Sequence, residues 1–201
     1  MPGSGQRQAS DMRYEVRLAG AGGQGLVLAG IIMAEAGLME GHHVVHSQNY
    51  GPEARGGNSV SEIIFSDEPI DYPKALGLDI LVALNQRACN ENMSCMKDDG
   101  LVIVDSAPVK KCLWGKVLRI PLQREAETTF QDARVINMLS LGVMTPFCSW
   151  VTPESVKRAI EQRMPKSLEE RNLNAYSAGV AMGRDLLKGT TFHDLEDAIE
   201  V

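Results

Sequence analysis

The chain has 201 residues, 44% hydrophobic and 23% charged, enough for one globular domain with a sizeable core. Its formal net charge of −6 gives no electrostatic pull toward nucleic acid or anionic lipid, so neither is expected as a partner. No apolar run approaches the roughly 20 residues needed to cross a bilayer, and the opening "MPGSGQRQASDMRYE" has no signal-peptide core, so a cytoplasmic protein is expected.

Residues 1–12, rich in Gly, Ser and Gln, read as a cloning scar or disordered tail, with Met12 as a candidate natural start and residues 13–201 as a single domain. The stretch "YEVRLAG" (Tyr14 to Gly20) alternates and then runs into glycine, as a first strand entering a tight turn does. From Gly23 to Gly37 the residues are apolar and small, which predicts a helix lying on a sheet and ending at a glycine. "HHVVHS" (His42 to Ser47) predicts a second strand, completing a βαβ unit of the kind that builds parallel sheets. Residues 48–58, "QNYGPEARGGN", contain three glycines and a proline and predict a loop.

Further strands are predicted at Ser59 to Ser66, Leu78 to Leu84, Gly100 to Asp105 and Gly115 to Leu122. The unbroken apolar runs "LDILVAL" and "GLVIVD" suit strands covered on both faces. Between them "NQRACNENMSCMKDD" is helical in composition and begins at an Asn cap. Helices follow over roughly Ala133 to Trp150, from Thr152 with Pro153 in its first turn, and from Ser167 to Leu187. The expected fold is α/β: a three-layer Rossmann-like domain with a mostly parallel sheet and a helical C-terminal region.

Four cysteines, Cys89, Cys95, Cys112 and Cys148, lack CxxC or clustered spacing and are expected to be free thiols. His42, His43 and His46 lie in the second strand with no nearby Cys or carboxylate to complete a metal site, so no metal is expected on this chain.

Gly20, Gly22 and Gly25 form GxGxxG between a strand and a helix. Gly20, Gly22, Gly23, Gln24 and Gly25 are therefore candidates for holding a phosphate at a helix N-terminus, against the alternative of a tight turn that only packs helix on sheet. A dinucleotide site also needs an acid at the end of the second strand to hold the ribose. None stands there, and Glu40 lies at the wrong end, so NAD and FAD are disfavoured while a single phosphate-bearing group is not. The second constellation, "SQNYGPEARGG", offers Asn49, Tyr50, Glu53, Arg55, Gly56 and Gly57 as an anion contact or rigid docking surface, or merely a local Arg55–Glu53 pair. No residue is assigned a catalytic role.

Taken in order, "GAGGQGLVLAG", "SQNYGPEARGG", "IDYPKALGLDILVALNQRA", "GLVIVDS" and "RNLNAYSAG" resemble the gamma subunit, or gamma domain, of 2-oxoacid:ferredoxin oxidoreductases. The "YGPEARGG" form is most similar to subunits of the 2-oxoglutarate and branched-chain 2-ketoacid enzymes, the former preferred. The resemblance implies one subunit of a complex that decarboxylates a 2-oxoacid oxidatively, forms an acyl-CoA and reduces ferredoxin. It implies thiamine diphosphate, Mg²⁺ and [4Fe–4S] clusters in alpha, beta and delta partner subunits, and it makes coenzyme A a candidate ligand of the glycine loop. A homodimer of the isolated chain is compatible with it. Three other readings stay open: a free-standing nicotinamide oxidoreductase, a scaffold with a purely structural glycine loop, and a pyruvate, branched-chain or indolepyruvate version of the same subunit.

Overall fold

The structure, a computed structural model, describes residues 13–50 and 57–189. The expectations for the first twelve residues and for Glu53, Arg55 and Gly56 lie outside them. Six strands form one sheet: β1 (Arg13–Ala21), β2 (His43–Tyr50), β3 (Asn58–Ser66), β4 (Leu78–Ala83), β5 (Met96–Asp105) and β6 (Val117–Ile120). Among the described residues six α-helices accompany them: α1 (Leu26–Met39), α2 (Gln86–Asn92), α3 (Leu122–Thr129), α4 (Ile136–Met144), α5 (Pro153–Arg163) and α6 (Lys166–Gly189). Among the described residues no helix is long and apolar enough to cross a membrane.

The spatial order is β2-β3-β1-β4-β5-β6. β1, β4, β5 and β6 pair in parallel, whereas β3 pairs antiparallel with both β1 and β2. Five strands thus run one way and β3 alone runs against them, which makes the sheet mostly parallel. The βαβ unit expected from β1, α1 and β2 is correct in direction but not in adjacency, because β3 is inserted between its two strands.

Alternation along β1 explains the layers. Val16 and Leu18 face one side with Ile63, Phe65, Ile80, Val82, Leu101 and Ile103, in a core closed by α1, α3, α4, α5 and α6. Ala19, Leu81, Ala83, Val102 and Val104 face the other, under α2 and the loop that carries Val109 and Trp114. The first helical layer is therefore thick and the second thin. Where α6 crosses α4, Gly142 and Gly179 let the two backbones approach: a Cβ on Gly179 would lie 3.0 Å from Gly142 Cα.

Local signals account for most boundaries. Asn85 caps α2 through Ala88 N (2.7 Å), as its sequence position predicts. Thr152 caps α5 by accepting from Ser155 N (3.1 Å), and Thr152 N donates in return to Ser155 Oγ (3.2 Å). Glu40, at the end of α1, accepts from Thr152 Oγ1 (2.6 Å) and Thr152 N (3.1 Å), and these bonds draw its carboxyl below the ordinary range. The acid on the wrong side for a ribose instead ties α1 to α5.

Four elements differ from expectation, the first being α1, which runs through Gly37 to Met39 because Gly37 makes room for Phe65 rather than ending the helix. β2 continues through Gln48, Asn49 and Tyr50, whose backbones pair with Ser61, Val60 and Ser59 and so are not loop. The polar residues Lys97, Asp98 and Asp99 extend β5 rather than the helix before it. Leu122–Thr129 forms α3, which buries Leu122 and Ala126 and was not anticipated.

Candidate functional site at the glycine loop

Because β1 and β4 are parallel neighbours, their C-terminal ends meet, with Leu84 N donating to Ala19 O (2.9 Å). From that edge the chain leaves β1 toward α1 on one face and leaves β4 toward α2 on the other. A crevice at such a point is where open α/β sheets place ligands. The glycine loop, residues 20–25, occupies it.

Each predicted loop residue has a definite part. At Gly20 a Cβ would approach Leu26 Cδ1 (3.0 Å) and Leu84 Cβ (3.1 Å), so the absence of a side chain lets helix and strand close together. Gln24 folds back so that its Oε1 accepts Ala21 N (2.7 Å), while Gln24 N donates to Ala21 O (3.3 Å). Gly22 N donates to Gly57 O (2.8 Å), which joins the first predicted constellation to the end of the second. Gly22 and Gly23 are exposed at the tip. Gly25 sits at the helix cap with φ 72°, the left-handed region where glycine is favoured, and no side chain caps α1 there.

The loop forms one wall of a cleft of about 220 Å³ whose other wall no sequence pattern had marked. The polar part of that wall is Asp132 and Arg134 before α4, Asn137 in its first turn, and Arg171 and Asn172 on α6, while Val135, Met164 and Leu168 make the rest of it apolar. The one available signal was "RNLNAYSAG", whose first two residues, Arg171 and Asn172, are the ones brought to the cleft. Asp132 accepts from Arg134 Nε and Nη2 (both 2.8 Å) and from Arg171 Nη1. Arg134, and behind it Arg171, hold the Asp132 carboxyl well below the usual carboxylate range. Two guanidinia against one carboxylate leave the mouth with a net positive charge, which suits an anion.

Of the second constellation, the described residues Asn49 and Gly57 are not among those that line this cleft. Asn49 instead lines an open groove on the thinly covered sheet face, with Ser47, Arg17, Glu62 and Asn92. Its floor is a satisfied network in which Arg17 bonds Glu62 and Asn92 Oδ1 (2.8 Å). Tyr50 contributes its backbone to β2, and Gly57 meets the glycine loop as stated.

The expected histidine and cysteine roles are also resolved locally. His42 packs on Trp150 with ring centroids 4.6 Å apart, and His46 pairs with Ser61 Oγ (2.8 Å). All four cysteines are free thiols, Cys89 and Cys148 buried and Cys95 and Cys112 half-buried. Burial pushes the Cys148 thiol up to about 12. No group of three or more His, Cys, Asp or Glu among the described residues is arranged to hold a metal ion.

A mostly parallel sheet with a glycine-rich strand-to-helix turn at its switch point places the chain among Rossmann-like α/β proteins. Residues 15–182 match the family described as pyruvate ferredoxin/flavodoxin oxidoreductase, and the chain belongs to that family. It is 42% identical over 180 residues to the 2-oxoglutarate synthase subunit KorC of Methanocaldococcus jannaschii, covering 87% of this chain and 96% of the relative. It is 39% identical to the same-named subunit of Methanothermobacter thermautotrophicus, covering 84% of this chain and 94% of that one. Among solved structures, the gamma subunit of a keto/oxoacid ferredoxin oxidoreductase from Geobacter sulfurreducens superimposes with a TM-score of 0.78 at 38% identity, covering 86% of this chain and 97% of that chain. The resemblance read from the glycine loop, the "YGPEARGG" segment and the C-terminal helix is borne out.

Proposed function

We propose that this chain is the gamma subunit of a cytoplasmic 2-oxoglutarate:ferredoxin oxidoreductase, in which 2-oxoglutarate and coenzyme A become succinyl-CoA and CO2. In that reaction the bond between the carboxylate and the keto carbon breaks, a thioester forms, and two electrons leave for ferredoxin. The observation that carries this reading is the near end-to-end match to relatives named as 2-oxoglutarate synthase subunits. Thiamine diphosphate with Mg²⁺, when bound in the partner alpha and beta subunits, supplies the carbon nucleophile, and [4Fe–4S] clusters carry the electrons. The scattered thiols of this chain, and its histidines held by Ser61 and Trp150, fit neither group.

The donor set at the glycine loop does fit coenzyme A. Its diphosphate or ribose phosphate is an anion, and the first turn of α1 together with Arg134 and Arg171 offers backbone amides and guanidinium donors to one. A cleft of about 220 Å³ is smaller than the pockets of roughly 300–1,000 Å³ that enclose whole ligands. It suits one end of the molecule, with partner subunits completing the site. This chain's work is then to hold the phosphate end while the thiol reaches the reacting carbon elsewhere. Gly22 and Gly23 present the tip of the turn to that ligand, and Arg55 with Glu53 serves the subunit interface or an anion contact.

The test is anaerobic co-purification of the tagged chain from its native cell, followed by assay of dye reduction dependent on both coenzyme A and a 2-oxoacid. Recovery of thiamine- and cluster-binding subunits with activity on 2-oxoglutarate supports the proposal. Activity confined to 2-oxoisovalerate, pyruvate or indolepyruvate would replace the substrate and keep the subunit role. A chain that purifies alone and binds no partner would sink both.

A further inference from the structure

We propose that Asn137 is the positioning residue of the glycine loop, fixing the conformation at Gly25 on which coenzyme A binding depends. The inference rests on the coenzyme A reading above. A helix N-terminus is ordinarily organised by a capping side chain, but the cap residue of α1 is glycine and has none. A glycine at φ 72° is also free to leave that conformation, so the direction of the first-turn amides needs an external constraint.

Asn137 supplies it from 112 residues away: Nδ2 donates to Gly25 O (3.2 Å). Its Oδ1 accepts from Met138 N (2.8 Å), which settles the orientation of the amide, because only the NH₂ end then remains for the loop. The side chain is 4% exposed and has little room to rotate away. It also fills the space beside the glycine: a Cβ on Gly25 would lie 3.0 Å from Asn137 Cγ and closer still to Nδ2. Nearer the tip, Gly22 N donates to Gly57 O (2.8 Å). Asn137 itself lines the cleft beside Arg134 and Arg171 without being one of its charged groups. These contacts describe a loop fixed at Gly25 and at the Gly22 backbone, with the exposed Gly22 and Gly23 left to the ligand.

The experiment uses the assembled complex and two variants. Asn137→Asp keeps shape and the acceptor to Met138 N but turns an oxygen, in place of the donor, toward Gly25 O. Gly25→Ala disturbs the same contact from the loop side. Coenzyme A affinity is read by calorimetry without 2-oxoacid, and steady-state kinetics give the KM and kcat split. Both variants are expected to raise Kd and KM for coenzyme A about tenfold, the scale of one hydrogen bond to a positioned group. The 2-oxoacid KM, and kcat at saturating coenzyme A, should stay within about twofold, since a displaced loop weakens binding before it alters chemistry. If Asn137→Asp does not assemble, Asn137→Ser takes its place with the same expected rise. A rise for Gly25→Ala without one for the Asn137 variant overturns the positioning role and leaves the coenzyme A site standing. No rise for either variant overturns the coenzyme A reading and this inference with it, and a rise for the Asn137 variant alone puts its effect outside the loop and overturns the inference too.

Discussion

Replacing Gly179 with alanine tests whether close approach of α4 and α6 fastens the C-terminal helices to the sheet. The added Cβ would lie 3.0 Å from both Gly142 Cα and Val143 N and closer still to Leu139 O. All three belong to the backbone of α4, so no rotamer change relieves the overlap and the helices must move apart. Overpacking of this kind costs about 1–3 kcal/mol. Alanine recovers up to about 1 kcal/mol of helix propensity over glycine, but separation also loosens Leu139, Val143, Ala175 and Val180, all buried at the crossing. The expected net effect is about 2 kcal/mol destabilising, weighing overpacking against propensity. For a chain of this length that corresponds to a fall of about 4–8 °C in thermal midpoint. Thermal and urea unfolding of Gly179→Ala should be compared with Ser177→Ala, an exposed site on the same helix. A Gly179→Ala chain as stable as the parent, or more so, would show that propensity is the only term and refute the close-packing argument.

Two further outcomes follow from buried polar groups. Glu15 is 2% exposed and accepts from Leu76 N (2.6 Å), Gly77 N (2.8 Å) and Arg13. Glu15→Ala removes all three bonds and should cost about 2–4 kcal/mol, read as a lower urea midpoint with an unchanged slope, and an unmoved midpoint would contradict that role. Burial holds His46 below its ordinary pKa, so the folded state favours the neutral ring. Its contribution is present above the unfolded value near 6.5 and is lost as the pH falls toward the folded value. The thermal midpoint should therefore drop between about pH 7.5 and 5.5 by less in His46→Gln than in the parent, and equal slopes would exclude His46 as a source of the drop.

The legible parts of this fold were those specified locally. A strand ending in glycines, an apolar helix and two Asn or Thr caps identify themselves within a few residues, and each is present, although α1 runs on through Gly37 to Met39. The position of β3 was not legible, because nothing in "SVSEIIFS" states whether it pairs beside β1 or beyond β2. Likewise Lys97 to Asp99 are poor strand formers that become strand only because the Met96 end of β5 pairs with Leu78 of β4. The site divides in the same way. Its glycines announce themselves by spacing, while Asn137, Arg134 and Arg171 reach the cleft through tertiary packing and leave no periodic trace.

The inserted strand also bears on why the glycine loop should not hold a nicotinamide. In a dinucleotide site the ribose acid stands at the end of the strand next to β1. Here that neighbour is β3, running the opposite way, and the end of β2 lies two strand spacings from β1, about 10 Å. The missing acid is thus a consequence of topology as well as of composition, since a carboxylate at Asn49 would be too far away to serve. Asn49 also faces the groove with Arg17 and Glu62 rather than the cleft beside Asn137. We therefore expect Asn49→Asp, which restores the acid by sequence position, to gain no NADH binding in a fluorescence titration of the isolated chain. Micromolar binding by that variant would mean that β2 can approach the loop, and the free-standing oxidoreductase would return as the better account of the motif.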